Sequence, residues 1–91
     1  MTEPGLVLDI VNEKGLHARA SAKFVSTVEA RDAEAVVSRD GMVVSGDSIM
    51  GLLMLAATIG TFIEVETSGP EADALSGALT ELVADKFGEG D

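Results

Sequence analysis

Hydrophobic and polar positions follow two rhythms along this chain. In LVLDI, Leu6, Leu8 and Ile10 share one face and polar or smaller positions separate them, the pattern of a half-buried strand. NEKG at 12–15 breaks that rhythm. Between 18 and 30 the apolar Ala18, Ala22 and Val25, with Phe24 and Val28, recur at helical spacing. AEAVVSR and MVVS then flank Asp40-Gly41, a dipeptide that predicts a tight hairpin because glycine takes the positive φ such a turn needs. GDSIMGLLMLAATIG predicts a helix capped at its start by Asp47-Ser48 and closed by Gly60. TFIEVET alternates again, with Ile63 and Val65 opposite Glu64 and Glu66. Ser68-Gly69-Pro70-Glu71 reads as a capping box with Pro70 in the first turn. The helix it opens carries Leu75, Ala78, Leu79, Leu82 and Val83 on one stripe.

The order is β-α-β-β-α-β-α. Four strands with one apolar face and three amphipathic helices predict an α+β fold, a four-stranded antiparallel sheet covered on one face by the helices. The expected organisation is one domain over 1–91, with its core at 4–86 and a flexible tail at 87–91, where GEGD reads as frayed.

Composition narrows the function classes. The 91 residues hold 46% hydrophobic side chains and no Cys, which removes disulfides and thiolate metal sites. A chain this short buries only about 60–65% of its unfolded surface, so modest stability is expected. Six Lys+Arg against sixteen Asp+Glu give a net charge of −10, which opposes nucleic-acid binding. MTEPGLVLDI lacks the basic segment and apolar run of a signal peptide, and IMGLLMLAATIG is about half a membrane span. The expectation is a soluble, cytoplasmic, monomeric protein with no membrane insertion.

Against that acidic background, GLHARAS places the single histidine, His17, and one of the few cations, Arg19, at the start of the first helix. Gly15 lets the chain turn sharply into that helix. The first N–H groups of a helix have no internal partners and carry roughly half a positive charge, an anion-binding arrangement. The same field disfavours imidazolium, so His17 is expected to keep a nitrogen unprotonated. A neutral imidazole beside a pocket for phosphate can attack phosphorus, with Arg19 neutralising charge. From the residues alone a plainer reading also stands, in which His17 is a polar residue at a helix start and Arg19 a surface charge. No paired carboxylates, activated Ser or Cys, or metal cluster accompany them, so a carrier completed by other proteins is the chemical reading.

GLHARAS at 15–21 followed by GDSIMGLLML at 46–55 resembles HPr, the histidine-containing phosphocarrier of the bacterial phosphotransferase system, and its nitrogen-related branch. The similarity spans about 4–86 with the same element order. It implies that His17 accepts a phosphoryl group on Nδ1 from phosphorylated enzyme I and passes it to a IIA protein or domain, in sugar uptake or nitrogen-linked regulation. Arg19 becomes the phosphate-stabilising cation. No cofactor is implied, and the protein is a carrier rather than an enzyme. Ala20 stands where many members have Pro, which restores a backbone donor in the first turn. A role mainly as a regulatory binder fits the same fold.

The second motif opens a helix with two apolar stripes, Ile49, Leu52, Leu55, Ala56 and Ile59, and Met50, Leu53, Met54 and Ala57. One side of a sheet cannot bury both, so the Met-bearing stripe either docks partners or lies against loops or another helix. Ile49, Met50 and Leu53 are assigned to the partner surface, together with Ala20 and Phe24, the latter lying between core and rim. Ser48 is an N-cap. The resemblance adds a regulatory phosphoserine there, set by a dedicated kinase and removed by a phosphorylase. GDSIM also comes close to the DSL of acyl carrier proteins, where Ser48 would bear the prosthetic arm. That class is a helical bundle, and it leaves GLHAR without a role.

Overall fold

The computed structural model describes residues 5–89, so the expected boundaries at 1, 4 and 91 lie outside the described residues. Eight elements follow in order: β1 (Leu6–Asp9), α1 (Ala18–Glu29), β2 (Glu34–Arg39), β3 (Met42–Ser45), α2 (Ile49–Met54), β4 (Phe62–Ser68), α3 (Ala72–Ala84) and a 3₁₀ turn at Lys86–Gly88. The strands form one sheet in the order β1-β4-β2-β3, with every pairing antiparallel. This is the expected α+β architecture, and its four strands exclude the helical bundle that the acyl-carrier reading needs.

Alternation decides the layers. Leu8, Val37, Ile63 and Val65 turn to the helices and are buried, while Val7, Val36, Val43 and Phe62 remain exposed. The core joins these strand residues to Phe24, Val28, Leu52, Leu75, Leu79 and Val83. Arg39 pairs with Met42 across the hairpin, leaving Asp40 (φ 50°) and Gly41 (φ 83°) as a two-residue turn with positive φ at both positions, as a type I′ turn requires.

Five expectations need correction. The buried face of α1 is Ala20, Ser21, Phe24, Val25 and Val28, with Ala18 exposed and Ala22 half-buried. Alanine marks no face by itself, and Phe24 sets the orientation. Ala20 and Phe24 are both fully buried, so neither reaches a partner.

α2 ends at Met54 rather than near Gly60. Leu55 is its C-cap, Ala56 adopts φ 51°, and Arg39 Nη1 donates to the Leu55 carbonyl at 2.9 Å. Beyond it, the Ala57 carbonyl accepts from Leu16 N, and Gly60 N donates to the Ile10 carbonyl. These tertiary bonds outweigh helix continuation. Leu52, Leu55 and Ala57 enter the core, whereas Ile49, Met50, Met54 and Ile59 stay exposed.

The capping box at Ser68 does not form. Ser68 ends β4, Glu71 is the N-cap of α3 without a side-chain cap, and its Oε1 accepts from Asp32 N at 2.6 Å instead.

Nor is the segment from 87 a loose tail as far as it is described. Phe87 is fully buried in the core, and Glu89 packs back on the start of α1.

Candidate functional site

His17 is the N-cap of α1, with φ −76° and ψ −175°, and no side chain caps the helix start. Its carbonyl accepts the first helical bond, from Ser21 N at 2.8 Å. The N–H groups of Ala18, Arg19 and Ala20 therefore precede the internal ladder. Ser21 Oγ, buried, donates to the Leu16 carbonyl at 3.2 Å and pins the turn from below.

Gly15 explains how the chain arrives. It has φ 63°, and a Cβ there would collide with the Ala57 carbonyl oxygen and lie 2.9 Å from Thr58 Cα. Only glycine gives both the conformation and the close approach. The Leu16 N to Ala57 O bond of 2.9 Å fixes the loop against the segment after α2.

The imidazole lies between two acceptors. Nδ1 is 3.1 Å from the Gly15 carbonyl. Nε2 is 2.9 Å from Glu89 Oε2, a charge contact that falls short of hydrogen-bond alignment. The side chains are 27% and 10% exposed, so the ring is reachable while the carboxylate is mostly covered. Asn12, fully buried, ties the group together: its Nδ2 donates to the Gly15 carbonyl at 2.8 Å and to Glu89 Oε1 at 3.0 Å. The carboxylate beside Nε2 favours the tautomer that carries its proton on that nitrogen.

Arg19, exposed in the first turn, opens with Lys14 and Lys23 onto a cleft of about 250 Å³ bounded by Gly88 and Glu89. Three of the chain's six basic residues thus gather beside the histidine in a protein of net charge −10. Lys23 Nζ donates to the Phe87 carbonyl at 2.6 Å.

Ser48 caps α2, its Oγ accepting from Gly51 N at 3.0 Å. Ile49 and Met50 are exposed and Leu53 half-buried, on a helix that packs against α1. Among the described residues no group of three or more acidic or histidine side chains is placed to hold a metal, and no helix is long and apolar enough to cross a membrane.

Sequence reasoning missed Asn12 and Glu89. The available signal was Phe87, one of three aromatic residues in the chain, standing inside an otherwise polar end.

The chain is similar to known proteins over most of its length. A family model described as PTS HPr component phosphorylation site matches residues 7–85. The chain is 48% identical over 84 residues to a phosphocarrier protein HPr of Neisseria meningitidis serogroup A, covering 92% of this chain and 94% of that protein. It is 42% identical to an HPr of Pseudomonas aeruginosa, covering 97% of this chain and 99% of that one. Among solved structures, an HPr crystal structure from Thermoanaerobacter tengcongensis superposes with a TM-score of 0.90 at 32% identity, covering 96% of this chain and 98% of that chain. One from Bacillus anthracis gives 0.83 at 31%, covering 88% and 95%.

Proposed function

Because this chain belongs to the HPr family of phosphocarrier proteins, we propose that His17 is the residue that carries the phosphoryl group, taking it from phosphorylated enzyme I and delivering it to a IIA protein. The observation that carries this reading is the position of His17: a partly exposed imidazole at the N-cap of α1, inside the matched segment, beside the cleft of Lys14, Arg19 and Lys23.

The chemistry follows from the groups present. An Nδ1 lone pair forms the N–P bond while the donor's bond to phosphorus breaks, and the electron pair stays on the donor. In the return step the acceptor's lone pair takes the phosphoryl group, and the N–P pair goes back to Nδ1. The transfer asks for little beyond alignment and charge neutralisation. Arg19 supplies a planar cation, and the first-turn N–H groups supply donors for phosphate oxygens. Attack by Nδ1 requires its contact with the Gly15 carbonyl to open.

Ile49, Met50 and Leu53 form the partner surface in this reading. Ala20, whose N–H lies in the first turn, acts through the backbone and not through a contact. Phosphorylation of Ser48 by a serine kinase would add about −1.5 to −2 charges beside that surface and weaken docking. The protein works in the cytoplasm, where its partners act.

Incubation with enzyme I and phosphoenolpyruvate tests the reading. Acid-labile label on the wild type that disappears in His17→Ala is expected. An unlabelled wild type, or undiminished label on His17→Ala, sinks it.

A further inference from the structure

The carboxylate of Glu89 belongs to a segment built to deliver it. Lys86, Phe87 and Gly88 all have positive φ, at 56°, 56° and 75°. Two of these are not glycine, and such backbone persists only where its surroundings over-determine it. Here Phe87 is sunk in the core, and its carbonyl receives Lys23 Nζ at 2.6 Å. The reversal ends with Glu89 only 10% exposed, Oε1 held by buried Asn12 and Oε2 against His17 Nε2 with no hydrogen bond of its own among the described residues. The family match ends at residue 85, before the segment 86–89 that carries Glu89.

The two ring contacts are unequal. Both the Gly15 carbonyl and the Glu89 carboxylate can only accept, so each ring nitrogen faces a group that favours a proton there. The attacking nitrogen must be the one without the proton. The proton facing a charged carboxylate is held more strongly than the proton facing a neutral carbonyl. That carbonyl already receives the Asn12 amide at 2.8 Å, which lessens its hold further.

We infer that Glu89 is a positioning residue for phosphoryl transfer: its carboxylate, held by Asn12, keeps the ring proton on Nε2 and so assigns Nδ1 as the attacking nitrogen. This rests on the reading of His17 as the phosphoryl acceptor. In the step itself the Nδ1 lone pair forms the N–P bond, and the donor keeps the pair of the bond that breaks. After transfer the Nε2–H stays against the carboxylate. Glu89 thereby also stabilises the protonated phosphoimidazole, the form that leaves most readily when the acceptor attacks.

The test is nuclear magnetic resonance of the His17 ring nitrogens in the full chain without any phosphodonor, comparing wild type with Glu89→Gln and Glu89→Ala. Gln retains the acceptor for Asn12 and the packing but removes the charge, so a purely structural role would leave its ring unchanged. In the wild type the neutral ring carries its proton on Nε2. In both variants the ratio of Nε2–H to Nδ1–H is expected to fall about tenfold, the worth of one mostly buried charge-assisted contact. The rate of label uptake from enzyme I is expected to fall by a similar factor. A ratio unchanged in both variants overturns the proposal, as does a neutral wild-type ring protonated on Nδ1. An unlabelled wild type that still shows the tautomer change overturns the carrier reading and leaves the hold of Glu89 on the ring intact.

Discussion

The Asn12 side-chain amide donates to Glu89 Oε1 at 3.0 Å across 77 positions of sequence, and the same nitrogen reaches the Gly15 carbonyl at 2.8 Å. One fully buried residue therefore joins the loop before α1 to the end of the described chain. Replacing it with Ala takes one donor from each of two acceptors in a covered place. Asn12→Ala is expected to destabilise the fold by about 1–3 kcal/mol. Hydrogen exchange at 86–89 should rise by more than the global loss accounts for, because the link to Glu89 goes with it. Urea denaturation and amide exchange read the two effects separately, and unchanged exchange at 86–89 would contradict the role given to Asn12.

Phe87 supports a second prediction. A residue in a loose tail can be truncated at little cost, whereas a fully buried aromatic leaves a cavity. Phe87→Ala is expected to cost about 3–5 kcal/mol, a large share of the stability of a small domain. A urea midpoint within experimental error of wild type would return the segment to the status of a tail.

The contrast between these residues and the strands shows what the sequence made legible. The strands could be read because alternation and Asp40-Gly41 are local codes, and the register Arg39↔Met42 follows from the turn. His17 and Arg19 could be read because helix starts have local chemistry and the motif is contiguous. The end of α2 could not. It is set by Arg39 donating to the Leu55 carbonyl and by the Leu16 N to Ala57 O bond, between residues far apart in the chain. Glu89 was hidden for a further reason. Its approach depends on positive φ at Lys86 and Phe87, residue types that carry no turn signal. The face of α1 was blurred by its alanines, which pack on either side equally well.

Ser48 caps a helix of only six residues, so the cap matters more to it than to a longer one. Ser48→Ala removes the acceptor of Gly51 N and is expected to cost about 1 kcal/mol. For a domain of this size that lowers Tm by roughly 4–8 °C. Ser48→Asp keeps an acceptor at the cap and adds a charge, so its Tm should lie nearer to wild type while its affinity for a IIA protein falls. Calorimetry and titration of both variants separate capping from docking; equal affinity for wild type and Ser48→Asp would remove the charge argument.

Gly15 offers a steric test of how the site is aimed. Gly15→Ala meets both a φ of 63° and the Ala57 carbonyl, and the Leu16 N to Ala57 O bond beside it must give way. The expected loss is about 2 kcal/mol or more, from left-handed strain and the broken contact. Label uptake on His17 should fall beyond what unfolding explains, since the loop that presents the ring has moved. Asp at 40 tolerates positive φ in the open hairpin, so Gly41→Ala, with no atom within 4 Å of the added Cβ, should pay for strain alone and leave uptake unchanged.

Arg19 separates function from stability most cleanly. Its side chain is exposed in the first turn of α1, and among the described residues no acidic partner holds it. Arg19→Gln is therefore expected to shift stability by no more than about 0.5 kcal/mol. The rate of label transfer from enzyme I should fall roughly tenfold, the worth of one hydrogen bond to a charged phosphate. Arg19→Lys should recover part of that loss, because an ammonium supplies the charge without the planar fork. The neighbouring cations are not equivalent substitutes: Lys23 is already spent on the Phe87 carbonyl at 2.6 Å. Raising ionic strength should slow the wild type more than Arg19→Gln, since part of the attraction screened by salt has gone from the variant. Equal rates for wild type and Arg19→Gln at low salt would shift the stabilising role from Arg19 to Lys14 and the backbone N–H groups at the start of α1.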